Sequence, residues 1–194
     1  MTDPLAAPKL SAAARRRAID VVRETLAREL GGAPRSRRGA DTPVVPELAE
    51  PHGAFVTLRR RDGELRGCIG TAAAARPLEE NLRDLAVSAA TRDRRFEPIG
   101  ADELDDLRIE VSVLSALAPA DPSRVEIGRH GLIVRRPGAS GLLLPQVASE
   151  RGWDRETFLA ETCRKAGLPA DAWRDPGTTL LWFTCDVVHE DEAP

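Results

Sequence analysis

The residues best able to do chemistry stand together at Arg66-Gly67-Cys68-Ile69-Gly70. Two glycines flank a Cys-Ile pair at the end of an alternating apolar pattern. Glycine inside such a pattern marks a bulge or a close approach of another group to the backbone. Arg66 and Cys68 are two positions apart, so an extended strand puts them on one face. A guanidinium there favours thiolate over thiol and draws the cysteine pKa below about 8.5, the activation a nucleophile needs. The competing reading is that Cys68 fills space, since free cysteine is among the most buried residue types. On residue type alone the competing reading weighs more.

A cysteine nucleophile also needs a base. The histidines are His52, His130 and His189. His52 lies in a proline-rich connector and His189 in a charged tail. His130 sits between Arg129 and Gly131 in a turn, where a satisfied turn histidine outweighs a proton shuttle. Glu110 is polar in a strand pattern. Pointing inward it needs a partner, and Arg66 or His130 would serve. The candidate catalytic residues are therefore Cys68, His130 and Glu110. The candidate ligand-binding residues are Arg66, Gly67, Ile69, Gly70 and Thr71. No His, Cys or Asp cluster has metal-ligand spacing, so no metal site is expected, and there is no glycine-rich phosphate loop, so the identity of any cofactor stays unknown at this point.

The elements that must position these residues follow from composition and period. The 194 residues are 42% hydrophobic and 30% charged, which suits one large domain or one domain with two lobes. The net charge of −3 gives no global attraction to nucleic acid or anionic lipid. Aromatic residues are 4% with no tyrosine, which disfavours base-stacking platforms. Arg66, Arg92, Arg94 and Arg95 form the local basic cluster that would carry nucleic-acid binding, the lowest-ranked reading. Lys9 and Lys165 are the two lysines, and GC-rich coding explains the arginine excess as well as any phosphate site. Cys68, Cys163 and Cys185 are odd in number and suggest no disulfide framework. No apolar leader and no membrane-length apolar run is present, so the expectation is a soluble cytoplasmic protein with reduced thiols.

Residues 1–10 are read as a flexible tail. Ser11 caps a helix running to Leu30, with Ile19, Val22, Leu26 and Leu30 at helical spacing and Gly31-Gly32 ending it. Residues 31–53, rich in proline, are read as a connector without helix. Ala54–Arg60 and Leu65–Gly70 form a hairpin about Asp62-Gly63. Pro77 opens a helix with the apolar stripe Leu78, Leu82, Leu85, Ala86 and Ala89. Arg108–Leu114 is a strand with Ile109, Val111 and Val113 on one face and Glu110 and Ser112 on the other. Short strands are expected at Val125–Ile127, Leu132–Arg135 and Gly141–Leu144. Asp154 caps a helix that Gly167 ends. Thr179–Val188, apolar on both faces, reads as one long central strand. Hairpins mixed with interleaved helices give an α+β fold with mixed, largely antiparallel sheets and flanking helices over residues 11–190. Residues 191–194 form a second tail.

Leu65-Arg66-Gly67-Cys68-Ile69-Gly70-Thr71 resembles the signature of the AMMECR domain family, whose bacterial members are called protein A of the AmmeMemoRadiSam system. Phe55-Val56-Thr57-Leu58, Glu110-Val111-Ser112-Val113-Leu114, Ile127-Gly128-Arg129-His130-Gly131-Leu132, and Gly141-Leu142-Leu143-Leu144-Pro145-Gln146-Val147-Ala148 resemble further family blocks in order. Trp153, Phe158-Leu159 and Lys165-Ala166-Gly167-Leu168-Pro169 resemble the last. The resemblance covers about residues 51–190. It departs where the family usually has Asp-Pro-Arg-Phe and this chain has Asp93-Arg94-Arg95-Phe96, which puts the stiffness of that turn in question. The resemblance implies an α+β fold of a larger and a smaller lobe with a cleft between them, and places Arg66–Gly70 at or near the cleft. It implies association with a Memo-like protein and a radical-SAM protein, and it implies no activity.

Three functions compete. A ligand-binding or adaptor module, taking a small molecule or peptide in the cleft or docking a partner, ranks first. A cysteine-dependent enzyme or covalent carrier ranks next, with Cys68 as nucleophile, Arg66 holding an anion or the thiolate, and His130 or Glu110 moving protons.

Overall fold

The structure, a computed structural model, describes residues 5, 6, 8–31 and 45–192. Most of the proline-rich connector, residues 32–44, lies outside the described residues. The described residues form two units. One comprises residues 8–31, 45–114 and 186–192, and the other residues 5, 6 and 115–185.

The first unit begins with α1 (Ala12–Leu30). Ser11 Oγ accepts the Ala14 N–H at its start, and Gly31 ends it at φ +77°, a left-handed value that favours glycine. Leu10, placed in the N-terminal tail by the sequence, is instead buried in this unit's core, and its amide donates to Asp186 Oδ2 at 3.2 Å. A four-residue helix, α2 (Pro46–Ala49), contradicts the reading of residues 31–53 as free of helix. Its proline occupies the first turn, where the missing N–H costs nothing.

β1 (Ala54–Arg60) and β2 (Leu65–Thr71) form the expected hairpin, followed by α3 (Leu78–Thr91) and, after a 3-10 turn at Ala101–Asp106, β3 (Leu107–Leu114). With β8 (Cys185–His189) they form a four-stranded sheet in the order β2-β1-β3-β8. β1 runs antiparallel to both β2 and β3. Ala54, Val56, Leu58, Ile109, Val111 and Val113 are buried in the core that α1 and α3 help to build. The opposite face carries Phe55, Thr57, Ser112 and Glu110, as the alternation requires. Thr57, Ser112 and Glu110 are buried.

The second unit holds β4 (Ala118–Pro119), β5 (Gly131–Arg136), β6 (Ala139–Leu143), α4 (Pro145–Glu150), α5 (Arg155–Lys165) and β7 (Thr179–Phe183). Its sheet order is β4-β7-β5-β6, all antiparallel. Asp154 caps α5 by accepting the Thr157 N–H at 2.8 Å. Phe158, Leu159, Leu132 and Trp182 lie in its core. β4 and α4 left no periodic signal in the sequence, being too short to show one. β4 sits at the sheet edge, where its proline withholds no ladder bond.

Two expected strands also fail. Val125–Ile127 is not a strand. It leads into a turn in which the Arg129 and His130 amides both donate to Glu126 O. Thr179–Val188 is not one central strand. It breaks at Thr184, whose carbonyl accepts the Ser115 N–H at 2.9 Å and whose N–H donates to Ser115 Oγ at 3.0 Å. The halves join different sheets, and β8 is an edge strand. Apolarity on both faces therefore arises from two separate cores, not from one central position.

Gly67 sets how closely α3 approaches β2. A Cβ there would stand 2.2 Å from the Ala89 carbonyl oxygen, a backbone atom that can retreat only if the helix moves. Gly67→Ala is expected to destabilise the protein by about 3 kcal/mol, the upper range for overpacking, measured as a drop in urea midpoint at constant slope.

Candidate functional site

Cys68 lies in β2 opposite Thr57 in β1, which in turn lies opposite Glu110 in β3. The three form a row across one face of the sheet. The Thr57 hydroxyl donates to Cys68 Sγ at 3.3 Å. Cys68 is partly exposed.

Arg66 does not join Cys68. Leu58 pairs with Gly67 and the next residue, Arg59, pairs with Leu65, so Arg66 is the extra residue of a β-bulge. The bulge breaks the two-residue alternation on which a shared face depends. The Arg66 side chain is instead buried against the segment after α3. It donates through Nε and Nη2 to the Glu103 carboxylate, both at 2.8 Å, and through Nη1 to Glu97 O at 2.7 Å. Charge-assisted, two-pronged pairing of this kind fixes a position. Arg66 thus anchors a loop, which also removes it from the basic cluster considered for nucleic acid.

The cation beside Cys68 is Arg95. Asp93 organises it. Its carboxylate accepts the Cys68 N–H at 2.9 Å, Arg95 Nε at 2.9 Å, Arg95 Nη2 at 2.7 Å and the Arg95 backbone N–H at 3.2 Å. Arg95 Nη2 also reaches Cys68 O at 3.4 Å, and the guanidinium lies 5.4 Å from the Phe96 ring centroid. Asp93 is buried, while the Arg95 side chain is 54% exposed. Nη1 of Arg95 has no partner among the described residues. The Phe96 N–H closes the turn onto Asp93 O at 3.0 Å. The turn whose stiffness the resemblance put in question is therefore held by Asp93.

The electrostatics follow from these contacts. Its hydrogen bonds from Arg95, with those from the Cys68 and Arg95 backbone amides, hold the Asp93 carboxyl down at about 2. The Cys68 thiol moves the other way. Burial pushes it up, and the Thr57 hydroxyl and the Arg95 charge only partly oppose this, while Glu110 and Asp93 add to it. The expectation of a thiolate drawn out by Arg66 is overturned on both counts, cation and direction.

Glu110 is buried, with Oε2 3.9 Å from Arg59 Nε and 3.7 Å from His189 Nδ1. Arg66, expected as its partner, is committed elsewhere. His130 belongs to the other unit. It is buried there, accepts the Glu126 N–H at Nδ1 over 3.1 Å and stacks on Trp182 with ring centroids 4.7 Å apart. An accepting Nδ1 places the neutral ring's proton on Nε2. Its placement matches a satisfied turn histidine.

The remaining motif residues serve packing. Gly70 lies under Phe55, since a Cβ at Gly70 would stand 2.1 Å from that ring. Ile69 packs against the core. Thr71 Oγ1 accepts the Ala73 N–H at 3.1 Å. Among the described residues, no group of three or more His, Cys, Asp or Glu could hold a metal, and no helix is long and apolar enough to cross a membrane. Sequence reasoning missed Asp93, and it placed Arg95 only in the basic cluster considered for nucleic acid, not beside Cys68. The signal was the Asp-x-Arg spacing, which lets one carboxylate hold the turn and the guanidinium together.

Comparison with known proteins is consistent with this architecture. The AMMECR1 family model matches residues 19–188. A protein from Methanothermobacter thermautotrophicus is 46% identical over 180 residues, covering 89% of this chain and 92% of its own. Protein PH0010 from Pyrococcus horikoshii is 47% identical over 161 residues, covering 78% and 77%. The crystal structure of uncharacterized protein PH0010 superposes with a TM-score of 0.80 at 41% identity, covering 89% of both chains.

Two measurements check this geometry. Asp93→Asn should cost about 2 kcal/mol at pH 7, the scale of hydrogen bonds to a charged group. A carboxyl lowered from 3.8 to about 2 gives its full stabilisation above pH 3.8 and loses it as pH falls through about 2, so the gap between variant and parent should close over that window. Alkylation of Cys68 by iodoacetamide should still be accelerating above pH 9, where an unperturbed thiol, with a pKa of about 8.5, is levelling off.

Proposed function

This chain belongs to the AMMECR1 family, and from that premise we propose that it is a ligand-binding module whose site is the β2 edge at Cys68 and the guanidinium of Arg95, and that it recognises an anionic group. One observation carries the reading. Asp93 fixes Arg95 on three sides yet leaves Nη1 uncommitted on a side chain that is 54% exposed. A guanidinium already immobilised loses little further entropy on binding, and its planar donors suit a carboxylate or phosphate. Arg92 and Arg94 are exposed on the same turn and add positive potential.

A binding role accounts for the thiol better than a nucleophilic one. A thiol pushed up by burial is protonated at neutral pH, whereas nucleophilic attack needs the thiolate. The hydrogen bond to the sulfur comes from Thr57, a hydroxyl that is no general base at neutral pH. Cys68 then contributes a neutral, polarisable contact beside the cation. The Memo-like and radical-SAM proteins implied by the resemblance are the candidate partners for such a module.

Cys68 reports on the site directly. In a Cys185→Ala background, iodoacetate and iodoacetamide are compared as alkylating agents. An anion site at Arg95 should raise the iodoacetate-to-iodoacetamide rate ratio about fivefold above that of free cysteine, the effect of roughly 1 kcal/mol of charge attraction at a surface. Arg95→Gln should return the ratio to the free-cysteine value. A parent ratio no higher than that of free cysteine would sink the reading.

A further inference from the structure

β2 is the outermost strand of its sheet. In an antiparallel ladder, alternate residues turn both backbone groups towards the neighbour or both away from it. Cys68 faces away. Its N–H is taken by Asp93 Oδ2 and its carbonyl by Arg95 Nη2. Gly70, two residues on, therefore faces the same open edge, and no described residue bonds its N–H or its carbonyl. Gly70 is partly exposed and residues 73–76 are exposed. The edge is closed by side chains at Cys68 and open at Gly70.

An open strand edge is a template for an incoming strand, and proteins commonly blunt it with charge. The charges here select rather than only repel. The turn beside the edge carries Arg92, Arg94 and Arg95 against Asp93 and Glu97, and Asp93 is already spent on Arg95 and the Cys68 amide. The spare Nη1 of Arg95 lies at the closed end. The Phe55 ring occupies the space over Gly70 where a side chain would be. An extended ligand thus meets one backbone donor–acceptor pair, one aromatic face and one guanidinium.

We propose that the β2 edge at Gly70 receives the C-terminal residues of an extended peptide, which pairs its backbone with Gly70 and places its terminal carboxylate on Arg95. This rests on the anion-binding reading of Arg95 and names the ligand class for it. Strand addition with capture of a terminal carboxylate is a known mode of peptide recognition. The peptide residue opposite Gly70 lays its side chain beside Phe55, so an apolar or aromatic residue is preferred there.

Amide hydrogen exchange on the full chain tests this. The probe is a pool of N-acetylated hexapeptides with a free C-terminus, alternating valine and threonine and varied over the apolar residues at the last two positions. The pool should slow exchange of the Gly70 amide at least tenfold, and amidating the peptide C-termini or introducing Arg95→Gln should abolish the effect. An unchanged Gly70 amide overturns strand addition, as does equal protection by acetate or inorganic phosphate alone. If iodoacetate selectivity at Cys68 persists in either case, the anion site stands and only the peptide is lost. If that selectivity is also absent, both readings fall together.

Discussion

The site turns on one buried carboxylate. Asp93 accepts the outward N–H of Cys68 and three N–H groups of Arg95, so a single side chain joins a strand edge to the turn beyond α3. Each of these donors alone is a modest contribution. Converging on one ionised acceptor, they make the turn and the edge one object, because no member can leave without exposing a buried charge. Arg66 plays the matching part a few residues away, tying the bulge of β2 to Glu97 and Glu103. The two clamps are oppositely signed, an acid gathering donors and a base gathering acceptors. Between them they hold residues 93–103 against β2.

Much of the fold could be read from the chain. Ser11, Asp154, Gly31 and Gly167 mark helix ends by local chemistry, and Asp62-Gly63 marks a hairpin. Such signals depend only on neighbours in sequence. Two of the readings that failed needed information from far away. The pairing of Arg66 with Cys68 assumed an unbroken two-residue period, and the bulge that breaks it is fixed by register with β1. The continuity of Thr179–Val188 was broken by Ser115, a residue that no window around Thr184 includes.

The motif's glycines show the same limit from the other side. Their presence pointed to close approach, and the approach is real. What arrives is the chain itself: the Ala89 carbonyl at Gly67 and the Phe55 ring at Gly70. Residue type reported that space was needed without reporting for whom. Arg95, which the proposed site turns on, was legible in the sequence only as one member of a local basic cluster and as part of a turn without its expected proline. Its importance comes from Asp93, and the reach of Asp93 to Cys68 exists only once α3 has folded back along β2.

The break at Thr184 has a bearing on how the polypeptide matures. The outer strand β8 belongs to the sheet begun by β1, β2 and β3, yet residues 115–184 separate it from them along the chain. As the ribosome delivers the chain from its N-terminus, that sheet waits with β3 unpaired on one side until the intervening unit has emerged. Long-range pairing of this kind is slow to form and exposes an edge while it is pending. Strand β8 thus closes the sheet last, and the Arg23–Glu190 ion pair at 2.5 Å fastens it.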